Sequence, residues 1–228
     1  MSAAPRPGDA PHWPRLAELL ARHRVDLVFD VGANTGQYIL ALRRHGYAGR
    51  VVSYEPGAAA HAALDATAAG DPLWQVAPRL AVGAASGEAV LNVSGESDMS
   101  SLRPLTDDAA RRLASVRPVA TETVPVTTLA AEIARHARNG ETIFVKSDTQ
   151  GFEAEVLDGL GSTASRIHGI QLEMSLVPIY SGQLDHLALL ARLASLGFTP
   201  HLVIPGYWSR HHGRMIEYDA VCFREASP

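Results

Sequence analysis

Four carboxylates in this chain recur at the same kind of place, the polar end of a short apolar run. Asp30 ends "VDLVFD", Glu55 follows "RVVSY", Asp148 follows "TIFVKS", and Glu173 lies in "GIQLEM". Runs rich in β-branched and aromatic residues predict buried strands. An ionisable group is tolerated at such an end only where water, a partner or a ligand meets it. There a carboxylate can accept hydrogen bonds from hydroxyl or ammonium groups, or take up a proton. The stretch "FVKSDTQGFEAEV" (144–156) concentrates this chemistry, and its Lys146 is the only lysine of the chain. Lys146 and Asp148 are two residues apart and share one strand face. A buried lysine needs an anion beside it, so an internal ion pair is favoured over a chemical role for Lys146. Glu153, in the first turn of the following helix, fits a capping or dipole-favoured position.

The segment "FDVGANTGQ" (29–37) follows the first predicted strand and opens the next helix, a place where free N–H groups can meet a ligand. A phosphate-binding P-loop would place Gly-Lys-Ser/Thr here, but Gln37 follows Gly36. A dinucleotide fingerprint needs G-x-G-x-x-G, and the spacing from Gly32 to Gly36 is Gly-x-x-x-Gly. Asp30, two residues before Gly32, is badly placed against a pyrophosphate and well placed near a cation. The pattern Asp-x-Gly-x-Asn-x-Gly suits S-adenosylmethionine, which carries an ammonium and a sulfonium. Glu55, nineteen residues past Gly36 in "YEP", can accept both hydroxyls of a ribose. The candidate cofactor contacts are therefore Asp30, Gly32, Asn34, Thr35, Gly36, Glu55 and Pro56. The competing reading is a ligand-free glycine turn with Asp30 and Glu55 as incidental caps.

Strands and helices must alternate to bring these positions together. Apolar strands at 25–31 and 50–55 and helices over 35–45 and 58–69 predict β-α-β-α order; a third strand over 73–82 is made irregular or edge-like by Pro78. A block at 84–130 breaks the alternation, with a β segment at 86–96, a small helix started by Thr106 and an extended piece at 123–129. Alternation resumes with strand 142–148, helix 151–160, strand 169–174, helix 184–196 and two final strands. The result is an α/β doubly wound sheet, mostly parallel, with an antiparallel last strand and a β/loop insert at about 84–130. A flexible lead-in is expected over 1–12, a core over about 25–224, and one domain across 1–228. In an open parallel sheet, ligands sit beyond the carboxyl ends of the strands, which puts Asp30, Glu55, Asp148 and Glu173 along one rim.

At that rim Asp148, expected beside the methionine end of the cofactor and the substrate hydroxyl, is a further cofactor contact and the first catalytic candidate, as base or as orienting acceptor, with Glu173 the second. A helix-capping role is the structural alternative for Asp148. The pair also raises a divalent-cation reading, since oxygen ligands suit Mg²⁺. With no obvious third ligand, a metal is not favoured. The loop "GYWSRHHGR" follows the penultimate strand, so Tyr207, Trp208 and His211 are candidates for contacting an acceptor; His201 is expected in the core.

The remaining composition mostly excludes. A net charge of −4 with scattered arginines gives no footprint for nucleic acid. A single cysteine, Cys222, cannot form an internal disulfide and reads as a buried inert thiol. The start of the chain has no apolar signal-peptide region, and no run approaches the ~18 apolar residues of a membrane span. A soluble, cytoplasmic protein is expected, with oligomeric state open.

In order, "VFDVGANTGQY", "YEP", "AVGAASGEAVLNV" with "SSL", "VPVTTL", "VKSDTQGFEAEVLDGL", "IQLEMSLVPIY" and "EYDAVCF" resemble the FkbM family of S-adenosylmethionine-dependent methyltransferases across about 25–224. The resemblance implies a class I, Rossmann-like methyltransferase fold. It also implies methyl transfer, usually to a hydroxyl oxygen of a sugar or polyketide-type product, here most readily a glycosylated natural product or glycolipid. Ser100 and Ser101 are thereby implied near the cofactor, and Gln150 and Tyr180 near the acceptor. Ser147 and Thr149 depart from the isoleucine and valine common in the family's block and bear on local packing. Two competing functions remain: an NAD-dependent oxidoreductase, opposed by the missing third glycine, and a cofactor-binding protein without catalysis.

Overall fold

The apolar run Leu27–Val31 forms a strand with all five residues buried, as a parallel strand covered on both faces should be. It is β1 in a computed structural model that describes residues 10–210 and 212–225. Before it lies α1 (His12–Arg22); after it come α2 (Gln37–Arg44), β2 (Arg50–Tyr54), α3 (Ala58–Ala68), β3 (Trp74–Val76) and β4 (Ala81–Val82). The insert follows as β5 (Gly87–Ser94), α4 (Asp107–Arg112) and β6 (Pro118–Thr127). The second half contains α5 (Leu129–His136), β7 (Ile143–Ser147), α6 (Glu153–Asp158), β8 (Ile167–Ser175), α7 (His186–Ser195) and β9 (Phe198–Pro205). A small hairpin, β10 (Trp208–Ser209) with β11 (Arg214–Met215), leads to β12 (Glu217–Arg224). Of the lead-in expected over 1–12, residues 1–9 lie outside the described residues, and His12 already belongs to α1.

Among the described residues, seven strands make the main sheet in the order β3-β2-β1-β7-β8-β12-β9. Pairings from β3 to β8 are parallel, and β12 is antiparallel to both β8 and β9. The expected doubly wound, mostly parallel sheet with an antiparallel last strand is thus present. The run expected as one strand over 73–82 is two. Pro78 has no N–H to give a ladder, so β3 ends at the sheet edge and β4 turns away to pair with β6.

Alternate residues of each strand feed two cores. Leu27, Phe29, Val31, Ile143 and Val145 pack on one side with α5, α6 and α7 residues such as Ile133, Val156 and Leu189. Val28, Val51 and Phe144 pack on the other with Leu16, Ile39, Leu42, Leu64 and Phe223. Full burial of each large side chain contributes about 1.5–3 kcal/mol. Cys222 is buried, and burial pushes its thiol up to about 12, which leaves it inert. His201 is a correction: it is exposed on edge strand β9, with its ring edge-on to Phe223 at 5.4 Å.

The insert has its own three-stranded sheet, β4-β6-β5, in which β5 and β6 pair antiparallel. The extended piece expected at 123–129 begins earlier, at Pro118. Thr106 does start α4, its hydroxyl oxygen accepting the Ala109 N–H at 3.2 Å. Ala109 then packs on Ile179, Tyr180 and Ile216, which seats the insert against the segment after β8.

Candidate active site

The loop from β1 to α2 turns through left-handed backbone at Gly32, Asn34 and Gly36. At Gly32 the reason is contact as well as conformation: a Cβ there would lie 1.8 Å from the Asp148 carbonyl oxygen. The N–H groups of Gly32 and Ala33 both donate to the Tyr54 carbonyl at 3.0 Å, tying the loop to the end of β2. Glu55 follows directly. Its Oε2 accepts the Asn34 N–H at 2.9 Å and its Oε1 the Gly57 N–H at 2.7 Å. Burial raises the Glu55 carboxyl, against the pull of these two bonds.

Between this loop and the end of β7 lies a cleft open to solvent. Gly32, Asn34, Gln37, Glu55 and Pro56 line one side, and Asp148, Thr149 and Gln150 the other. The insert supplies Ser97, Asp98, Ser100 and Ser101, and Leu80, Val82, Leu102 and Phe152 give an apolar wall. Two bonds fix the insert to the loops: Ser97 Oγ donates to Asn34 Oδ1 at 3.1 Å, and Ser101 Oγ to the Gln150 carbonyl at 2.6 Å.

Sheet register assembles two polar rows on one face of the sheet. The inner row crosses four strands: Ser53 pairs with Asp30, Asp30 with Lys146, and Lys146 with Gln171. All four are buried. Ser53 Oγ donates to Asp30 Oδ2 at 3.0 Å, and Lys146 Nζ stands 3.3 Å from Asp30 Oδ1. Lys146 also donates to the Gly32 carbonyl at 2.7 Å, and the Tyr38 hydroxyl donates to Gln171 Oε1 at 2.8 Å. Burial would lower the Lys146 ammonium, but Asp30 and Asp148 outweigh it and raise it. Burial raises Asp30 despite Lys146.

The outer row lies one pleat nearer the rim. Continuing the β7–β8 register sets Asp148 beside Glu173, and Glu173 pairs with Asp219 across β8 and β12. Gln150 bridges the first two: its Nε2 donates to Asp148 Oδ1 at 3.0 Å and to Glu173 Oε1 at 3.1 Å. Its Oε1 accepts the Tyr180 hydroxyl at 2.9 Å. Asp148 Oδ2 lies 3.7 Å from Lys146 Nζ. Burial, then the Asp148 charge, pushes Glu173 well above the ordinary carboxylate range. The same two causes push Asp219 and Glu217 up to about 7. Glu153 reaches about 7 by burial, although it accepts N–H groups of Thr149 and Gly151 as a cap. Carboxylates this close share protons as a set.

Several expected residues stand elsewhere. Asp30 does not line the cleft; fully buried between Ser53 and Lys146, it lies beneath the wall as a support. Thr35 is exposed, its hydroxyl donating to Gln37 Oε1 at 3.1 Å, and Gln37 lines the cleft instead. Gly36 caps α2 against the Trp74 ring. Tyr180 is 2% exposed, a buried post rather than an acceptor-facing ring. Tyr207 lines a second cavity; Trp208, on β10, lies outside it with 57% exposed. His211 lies outside the described residues. Phe152, Glu217 and Asp219 were not expected from the sequence. For the last two, the acids of "EYDAVCF" carried a signal, but their position depends on β12 running antiparallel next to β8.

A model of the methyltransferase FkbM domain matches residues 30–200. The chain belongs to the FkbM methyltransferase family. The FkbM match spans both glycine-loop and "VKSDTQGFE" segments, and thus both walls of the cleft. No match to a curated protein was found. Among solved structures, the magnesium protoporphyrin IX methyltransferase from Synechocystis PCC 6803 with bound SAM is 11% identical with a TM-score of 0.51, over 96% of this chain and 80% of that one. The O-methyltransferase from Bacillus cereus in complex with SAH is 14% identical with a TM-score of 0.50, over 94% and 82%. At such identities these likenesses show the class I methyltransferase fold of this FkbM chain. Among the described residues no group of three or more His, Cys, Asp or Glu is arranged to hold a metal ion. Among the same residues no helix is long and apolar enough to cross a membrane.

Proposed function

We propose that this FkbM-family chain, one methyltransferase domain over 1–228, uses S-adenosylmethionine to methylate a hydroxyl of a small molecule. The acceptor we favour is a sugar unit of a glycosylated natural product or glycolipid. The observation that carries this reading is the cleft that sets Glu55 and Asp148 on opposite walls beyond the carboxyl ends of β2 and β7. Each Glu55 oxygen accepts one backbone N–H and keeps lone pairs for ribose hydroxyls. Leu80, Val82, Leu102 and Phe152 suit a flat apolar base. The closeness of Gly32 to the Asp148 carbonyl lets a ligand meet both loops at once.

When bound, S-adenosylmethionine supplies an electrophilic methyl on a sulfonium. The protein's part is to position and to move a proton. Asp148, held from two sides by Gln150 and Lys146, presents a fixed carboxyl group to the ammonium end and to the reacting hydroxyl. Such positioning carries much of the barrier reduction. Glu173, tied to the same amide, keeps its place across the row.

Calorimetric titration with S-adenosylhomocysteine and with NADH tests the reading: binding of the first and not the second is expected, and the reverse overturns it. Tritiated methyl transfer into a panel of glycosides then tests the acceptor. In Asp148→Asn, turnover should fall by about 100-fold or more, measured separately from cofactor affinity; near-normal turnover would remove Asp148 from the reacting centre.

A further inference from the structure

A second cavity opens beside the cofactor cleft, with Asp98 lining both. It is open to solvent, and apolar side chains form much of its wall: Met99, Leu113, Val116, Val177, Ile179 and Ile216. Glu217 lines it and also belongs to the acidic rim, two residues from Asp219 on the same face of β12. The other charged groups on the cavity wall are Glu96 and Asp98 from the insert, His212 from the β10–β11 hairpin, and an Asp108–Arg112 pair, Nε to Oδ1 at 2.7 Å.

Asp148 and Glu173 are already engaged by a shared donor, and Glu173 lines neither cavity. One amide, that of Gln150, donates to both, and Asp148 also faces the Lys146 ammonium at 3.7 Å. Glu217 instead accepts a backbone N–H from Tyr207 and faces four acids: Asp219 on its own strand, Asp148 on β7, Glu173 on β8 and Glu153 on α6.

We propose that this cavity holds the acceptor, an alcohol on an apolar body, and that Glu217 receives its hydroxyl proton. The proposal rests on the methyltransferase reading above. The acceptor oxygen bonds to the methyl carbon of the sulfonium. The C–S bond breaks with its electron pair left on sulfur, and the O–H proton passes to the Glu217 carboxylate. Burial first, then the neighbouring acids, gives that carboxyl a strength near neutrality, which suits a base at working pH.

The test uses full-length protein labelled with ¹³C at the glutamate carboxyls and saturated with S-adenosylhomocysteine. Its carboxyl resonances are followed from pH 4 to 9. Either Glu217→Gln or Glu217→Asp identifies the Glu217 signal by deleting it. A Glu217 midpoint within about one unit of 7 is expected, and one below about 5.5 overturns the proposal. A second arm reads the cavity with dansylamide, an uncharged apolar fluorophore. Binding to the same complex should weaken at least tenfold in Ala109→Trp, which fills the cavity; unchanged binding overturns the site. On any acceptor found by tritium transfer, Glu217→Gln should lower kcat by about 100-fold with KM within threefold, and wild-type kcat overturns the role. Failure of wild-type protein to bind S-adenosylhomocysteine would instead count against the cofactor reading itself.

Discussion

Lys146 Nζ and Asp30 Oδ1 stand 3.3 Å apart across β7 and β1, with side chains 6% and 0% exposed. Breaking such a pair from one side leaves an uncompensated buried charge, at a cost of about 3–5 kcal/mol. Lys146→Met should lose stability of that size in urea unfolding. The double variant Lys146→Met/Asp30→Asn should cost less than the two single changes together, by about 1 kcal/mol or more. Simple additivity would mean that the pair does not act as one unit.

Gly32→Ala places a methyl group 1.8 Å from the Asp148 carbonyl and forces a side chain into left-handed backbone. The loop must shift away from β7, separating the two walls of the cleft. A loss of at least about tenfold in S-adenosylhomocysteine affinity by calorimetry is expected, with far-UV circular dichroism preserved. Wild-type affinity would show that the cleft tolerates a wider gap.

Gln150 is the only donor described that reaches both Asp148 and Glu173. Gln150→Leu leaves the two carboxylates facing one another and should cost about 1–3 kcal/mol. Gln150→Glu adds a third acid of the same shape, so its cost should grow between pH 6 and pH 8. Unfolding both variants in urea at these two pH values separates a lost bridge from added charge. Equal costs for Gln150→Glu at both pH values would contradict the role of the amide.

The outer-row carboxyls make stability depend on pH. Folded-state values near 7 for Glu153, Glu217 and Asp219 exceed the unfolded values near 4. The folded state therefore binds more protons in this window, and stability falls as pH rises through 7. His12, His23, His136 and His168 are lowered by burial and act oppositely, but below their ordinary value of 6.5. Between pH 6.5 and 8 the carboxyls prevail. Discounted for their sharing of protons, the change is on the order of 1–2 kcal/mol, a fall in Tm of about 4 °C. Calorimetric scans at the two pH values check the sign, and a rise in Tm refutes it.

The parallel half of the site was legible because each acid followed its own strand: Glu55, Asp148 and Glu173 needed only a strand end and a rim. Asp30 follows the same rule, yet it is buried, because its surroundings are set by Lys146 on a neighbouring strand distant in sequence. Glu217 and Asp219 escaped for the converse reason. They begin a strand, and a strand's first residues reach the rim only when it runs against its neighbours. Tyr180 was misplaced because a resemblance carries residue types, while its hydroxyl is taken up by Gln150 and the Met99 carbonyl.

β12 comes after β8 and β9 in the chain yet lies between them in the sheet. During synthesis, β9 is therefore made before the strand that will bond it, and its open edge must wait. β8 and β9 cannot pair with each other without excluding β12, so β12 completes the sheet by insertion between them rather than by addition at an edge. Glu217 and Asp219 arrive with that insertion. Two of the repelling acids thus depend on the strand made last, and the full acidic row exists only once β12 is seated between its neighbours.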